Sequence, residues 1–200
     1  MGLAFAAAAA TVAEVAAHWG FGRDATVIAL RLTARVGFLL FWPSYVGGAL
    51  ATLFGDGFAP LRRHGRELGL AFTAVLAVHL SVVAWLCWIG AAPSLRVFII
   101  FGIAAIWVAL LALASIGPIG RAAGAVGWWV LRNIGMNYIA FAFALDFLKR
   151  PPRHIGPAYL LGYIPFALLA VLGPALRLLA WLKRSGLFSP SARVARDEPA

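Results

Sequence analysis

Residues 95–116 read Leu-Arg-Val-Phe-Ile-Ile-Phe-Gly-Ile-Ala-Ala-Ile-Trp-Val-Ala-Leu-Leu-Ala-Leu-Ala-Ser-Ile, an unbroken apolar run whose one charge, Arg96, sits at its start. A hydrocarbon core of roughly 30 Å is crossed by about 20 helical residues, so this run reads as a membrane span. Pro93 precedes it and Gly117-Pro118 closes it, as breakers at both ends should. Similar runs lie on either side. Leu3 to Trp19 is an alanine-rich segment with Glu14 and His18 but no basic leader, read as a weak first span in preference to a signal peptide. Ala25 to Phe54 is longer than a bilayer needs, which implies tilt, and Pro43 is placed to kink it. Leu68 to about Ala91 gives the third span, Ala123 to Leu148 the fifth, and Ile155 to Leu182 the sixth. The sixth carries Pro157, Pro165 and Pro174, tolerable where neighbouring groups satisfy the freed carbonyls.

The expected fold is therefore all-α, an integral membrane bundle of about six transmembrane helices over residues 1–184, with a disordered cytoplasmic tail at 185–200. Composition agrees. Of 200 residues 63% are hydrophobic and 12% charged, and the mean hydropathy is +0.91, values outside the range of water-soluble domains. The formal charge of +10 is spread singly or in short groups between apolar runs. That is the pattern that sets topology, not one that binds nucleic acid. Arg62, Arg63, Arg66, Arg121, Lys183, Arg184, Arg193 and Arg196 fall on the side holding both termini, against Arg23, Arg96, Lys149, Arg150 and Arg153 on the other. Both termini are expected on the cytoplasmic face of a bacterial-type inner membrane. Cys87 is the only cysteine, which excludes an intramolecular disulfide and a thiolate cluster.

An ionisable group inside a span is costly enough to be a functional candidate, and Glu14, Arg31, Arg35, His79, Arg132 and Asp146 qualify. His79 lies near the middle of the third span, too deep to reach the interface. A neutral imidazole there suits either a hydrogen bond to a neighbouring helix or an axial bond to haem iron. Met136 on the fifth span is a thioether ligand or a packing residue; His64, in the basic loop fifteen residues before His79, is a solvated loop histidine or the flank of a second, cytoplasmic-side haem. The tryptophans Trp19, Trp42, Trp85, Trp88, Trp128, Trp129 and Trp181 are assigned to interfacial anchoring. Gly65, Gly69, Gly124, Gly127 and Gly135 allow either close approach of the third and fifth helices or room for a macrocycle.

Arg66-Glu67-Leu68-Gly69-Leu70-Ala71-Phe72 followed by His79 resembles the RR-x-LGL-x-x-F … H signature of the ferric-reductase-like transmembrane family, which includes the haem-binding membrane subunit of the bacterial methionine sulfoxide reductase system. Arg31 to Phe41 is similar to the helix preceding that signature. Trp128-Trp129-Val130-Leu131-Arg132-Asn133-Ile134-Gly135-Met136-Asn137-Tyr138 resembles the family's W-x-x-LH-x-x-G-x-x-Y segment. The similarity covers roughly residues 25 to 150. It implies a membrane oxidoreductase component that passes electrons through b-type haem, with His79 as an axial, metal-binding residue and a protein or quinone as donor. No flavin or nicotinamide motif is present. Two departures stand out. Arg132 replaces the histidine after Trp-x-x-Leu, and Asp146 stands near the later histidine of the same helix. Arginine has no lone pair to offer iron. Arg132 either snorkels to the interface or, on a buried face, meets a haem propionate, a lipid phosphate or Glu14. The alternative is a haem-free membrane scaffold or subunit that kept the fold, works with a complex partner and lost the cofactor.

Overall fold

The computed structural model describes residues 1–117, 122, 124–149 and 157–185, and is an all-α bundle with no strand among them. Its helices are α1 (Gly2–Trp19), α2 (Arg23–Phe54), α3 (Ala59–Arg63), α4 (Gly65–Trp88), α5 (Leu95–Ile116), α6 (Gly124–Phe147) and α7 (Pro157–Arg184). Five of these, α1, α2, α4, α5 and α7, are long and apolar enough to cross a membrane. The sixth long helix, α6, has 24 residues, but Arg132, Asn133, Asn137 and Asp146 dilute its apolar character. Residues 186–200, Arg121, and the segment from Arg150 through His154 lie outside the described residues, and with them the expectation of a disordered tail.

α2 is the central element. It lies antiparallel to α4, with Ser44 beside Gly69, Gly37 against Phe72 and Val75, and Thr33 bonded to His79 marking the register. It lies parallel to α7, where Arg35 meets Gly162, Trp42 and Tyr45 meet Gly173, and Lys183 Nζ donates to the Thr52 carbonyl at 2.9 Å. That last contact supplies a cation to the unpaired C-terminal carbonyls of α2. α1 covers α2 and α4 through Ala8 against Val75 and Val78, and Val15 against Ala25, Ala29 and Val82. The start of α1 and the end of α7 thus lie at one end of the bundle. That end also carries Arg62, Arg63 and Arg66, and is called the basic end below.

The middle is filled by rings. Phe38 packs on Phe143 and Phe147 at centroid distances of 5.0 and 4.9 Å, and Phe41 and Phe72 close on Phe143 at 5.4 and 5.9 Å. Lipid cannot drive helices together by excluding water, so tight packing of this kind holds a membrane bundle. The fifth span's glycine serves the same end, though against another neighbour than expected. A Cβ at Gly135 falls 2.9 Å from the Trp107 ring and 3.0 Å from Leu111, so it is α5, not α4, that α6 approaches here. Trp42 also departs from expectation. It is no interfacial anchor, since its indole donates to the Leu169 carbonyl at 2.8 Å inside the bundle. Trp19, Trp88, Trp129 and Trp181 do lie exposed near helix ends.

Candidate functional site

His79 sits on the face of α4 that recurs through Phe72, Val75, Val82 and Leu86, all buried. Its Nδ1 is 2.8 Å from Thr33 Oγ1, and the same hydroxyl is 2.8 Å from the Ala29 carbonyl. Thr33 has one proton, which goes to that carbonyl, so its lone pair receives the Nδ1–H of His79. The unprotonated nitrogen is then Nε2, the atom a haem iron would take.

The surroundings decide whether a macrocycle fits. Arg132 lies beside Gly65, its guanidinium 3.8 Å from where a Cβ of that glycine would stand. His79 is fourteen residues further along α4, about 21 Å at 1.5 Å per residue. Arg132 and His79 therefore cannot flank one iron. Asp146 is the acidic group whose field reaches His79, and its carboxylate is bonded to Lys149 Nζ at 2.8 Å. Phe38, five residues and about 7.5 Å along α2 from Thr33, begins the ring cluster. His64 is exposed at the basic end, with Nδ1 2.7 Å from Glu67 Oε2. Met136 is buried in the core cluster near Arg132's end of α6. No second imidazole or thioether stands opposite His79, and no group of three metal-ligating side chains occurs among the described residues. An apolar cavity of about 780 Å³ between α1, α2 and α4 offers no histidine, cysteine or methionine along its wall. The described residues do not supply the pair of ligands that would hold a haem from two sides.

What the structure does bring together is Arg132, Met136 and the two glycines. A cavity of about 490 Å³ opens between α4 on one side and α5 and α6 on the other, with α2 behind. Arg66, Arg132, Ser44, Thr73 and Ser115 supply its polar wall, and Phe41, Phe72, Val108, Leu111, Met136 and Ile139 its apolar floor. No carboxylate lines it. Gly65 and Gly69 keep the α4 wall low: a Cβ at Gly69 meets only Ser44 Oγ, at 3.5 Å. Each hydroxyl donates to a helix carbonyl, Ser44 to Gly65 at 2.7 Å, Thr73 to Gly69 at 3.0 Å and Ser115 to Leu111 at 2.7 Å. The side-chain donors left for a guest are the guanidinium groups and the indole N–H of Trp128. Arg66 spends one N–H on the Ser115 carbonyl at 2.9 Å. Arg132 has no hydrogen-bond partner among the described residues. Arg132 is exposed and lines the cavity.

Behind Arg132 stands a second arginine that the sequence reading passed over. Arg177 on α7 donates to Asn133 Oδ1 and, at 3.1 Å, to the Tyr45 carbonyl, and its guanidinium lies 4.6 Å over the Tyr45 ring. Tyr45 donates in turn to Asn137 Oδ1 at 2.7 Å. The visible signal was Asn133 and Asn137, four residues apart beside Arg132 and so on one helical face. Glu14, the carboxylate considered for Arg132, is excluded as its partner. It is near the far end of α1, where Phe21 accepts from the Trp85 indole, and is exposed.

Comparison of the chain with protein-family models, with curated proteins and with solved structures gives no match.

Proposed function

We propose that this chain is a haem-free subunit of a cytoplasmic-type membrane, a six-helix bundle that retains a ferric-reductase-like layout without its electron-carrying cofactor. The observation that carries this reading is the environment of His79. His64 and Met136, the other candidate ligands, lie toward the basic end, the Asp146 carboxylate is bonded to Lys149, and packed phenyl rings fill the interior on the basic-end side of Thr33. The excess of Lys and Arg at the basic end supports placing that end in the cytoplasm. A subunit of this kind works by contact with a partner protein or by what it binds within the bilayer.

The electron-carrier reading, with b-type haem and a protein or quinone donor, is favoured by one observation, the free Nε2 of His79. A reduced-minus-oxidised absorption spectrum of protein purified after expression with a haem precursor separates the two. The haem-free reading expects a featureless difference spectrum. A b-type band that disappears in His79→Ala would restore the electron carrier.

A further inference from the structure

We propose that the cavity between α4, α5 and α6 binds a phosphate-bearing amphiphile, its anionic head on Arg132 and Arg66 and its chain over the floor formed by Phe72, Val108, Leu111, Met136 and Ile139. The inference goes beyond the reading above and does not rest on it, because no atom of His79 takes part.

Three observations converge. The first is uncompensated charge. Arg132 stands eight residues into α6, about 12 Å from its start, in a wall with no carboxylate and no hydrogen-bond partner for it among the described residues. A cation that far inside a helix of an apolar bundle calls for a counter-charge, and the described residues supply none. Arg177 stands behind it, bonded to Asn133 and to the Tyr45 carbonyl and so no counter-charge either. The second is donor geometry. The wall hydroxyls spend their protons on helix carbonyls, which leaves the two guanidinium groups and the Trp128 indole N–H as the side-chain donors, and guanidinium forks match a phosphate with paired N–H···O bonds. The third is shape. The wall changes from polar at the basic end to apolar toward the middle, and about 490 Å³ is the size of a small-molecule site. A bare anion would leave that floor uncovered. A neutral quinone would leave the arginines unpaired.

Glycines keep the site open. Side chains at Gly65 and Gly69 would project into the space beside Arg132 and Ser44. Ala112, opposite on α5, is likewise small.

The test is binding to full-length, delipidated protein in a nonionic detergent, read by thermal shift and titration. The probes are dioctanoyl phosphatidylglycerol, dioctanoyl phosphatidylcholine and inorganic phosphate. A hydrogen bond to a charged group is worth about 1.5–3 kcal/mol, so loss of the Arg132 contact should weaken binding about 10- to 100-fold. The expected result is saturable binding of the anionic lipid at least about 10-fold tighter than either other probe, lost by that factor in Arg132→Gln and unchanged in Arg23→Gln at the opposite end. Ala112→Trp, which fills the cavity and leaves every charge in place, should abolish it too. Equal binding of phosphatidylcholine overturns the assignment of an anionic head, and equal binding of inorganic phosphate overturns that of the chain. If Arg132→Gln does not fold, undiminished binding by Ala112→Trp overturns the site.

Discussion

Gly47→Val is expected to be among the most damaging single substitutions in α2, lowering the stability of the detergent-solubilised bundle by about 3 kcal/mol, the upper part of the usual cost of overpacking. A Cβ at this position lies 2.9 Å from both the backbone carbon and the backbone oxygen of Leu61, and 3.1 Å from its Cβ. A flexible side chain would swing aside; a backbone carbonyl within α3 cannot. The short helix must then lift away from α2, taking Arg62 and Arg63 with it. Thermal unfolding in detergent should show the loss, and Gly48→Val, whose Cβ meets nothing within 4 Å, should show little of it. A Gly47→Val protein that melts with the parent would mean that α3 does not lie where it is described.

The second large effect is expected at Arg177. Its two hydrogen bonds and its position over the Tyr45 ring tie α7 to α2 and α6 at one point. Bonds to a charged donor contribute about 1.5–3 kcal/mol each in soluble proteins and less in membranes, where the unfolded reference also finds partners. Arg177→Ala should therefore cost about 3 kcal/mol in total. Lysine should not restore it, because an ammonium cannot reach Asn133 and the Tyr45 carbonyl with a planar fork while lying over the ring. The check is the melting temperature of Arg177→Ala, Arg177→Lys and the parent side by side. Full rescue by lysine would show that charge alone matters there.

The helices were legible for a simple reason. Apolar runs bounded by Pro93, Gly117-Pro118 and Gly20 give elements whose ends fall within about three residues of those observed, as for Leu95–Ile116 and Gly124–Phe147. α3 was not legible. Ala-Pro-Leu-Arg-Arg is too short for periodicity, and what places it is contact with Gly47. Helix pairing was not legible either. A single chain read one residue at a time shows that Gly135 permits close approach, but not whether Trp107 or a residue of α4 arrives. Of the two uses open for the glycines of the third and fifth spans, Gly135 serves close approach, to α5, while Gly65 and Gly69 border the space between α4 and α6. For the candidate site, Arg132 and Met136 were visible as odd residues in a span, and both line one cavity. The rest of that cavity, Ser44, Thr73, Ser115 and Arg66, is assembled from helices whose order in space no spacing rule supplies. Arg177 escaped because a basic residue near a helix end is ordinarily an interfacial one.

The working site proposed for this bundle is the basic cavity, with His79 a structural group bonded to Thr33. Native mass spectrometry of the protein released from the membranes in which it was made tests that most directly. The expected spectrum shows a phospholipid-mass adduct that is lost in Arg132→Gln and retained in His79→Ala, with no haem-mass adduct. A haem-mass adduct lost in His79→Ala and indifferent to Arg132→Gln would contradict the account.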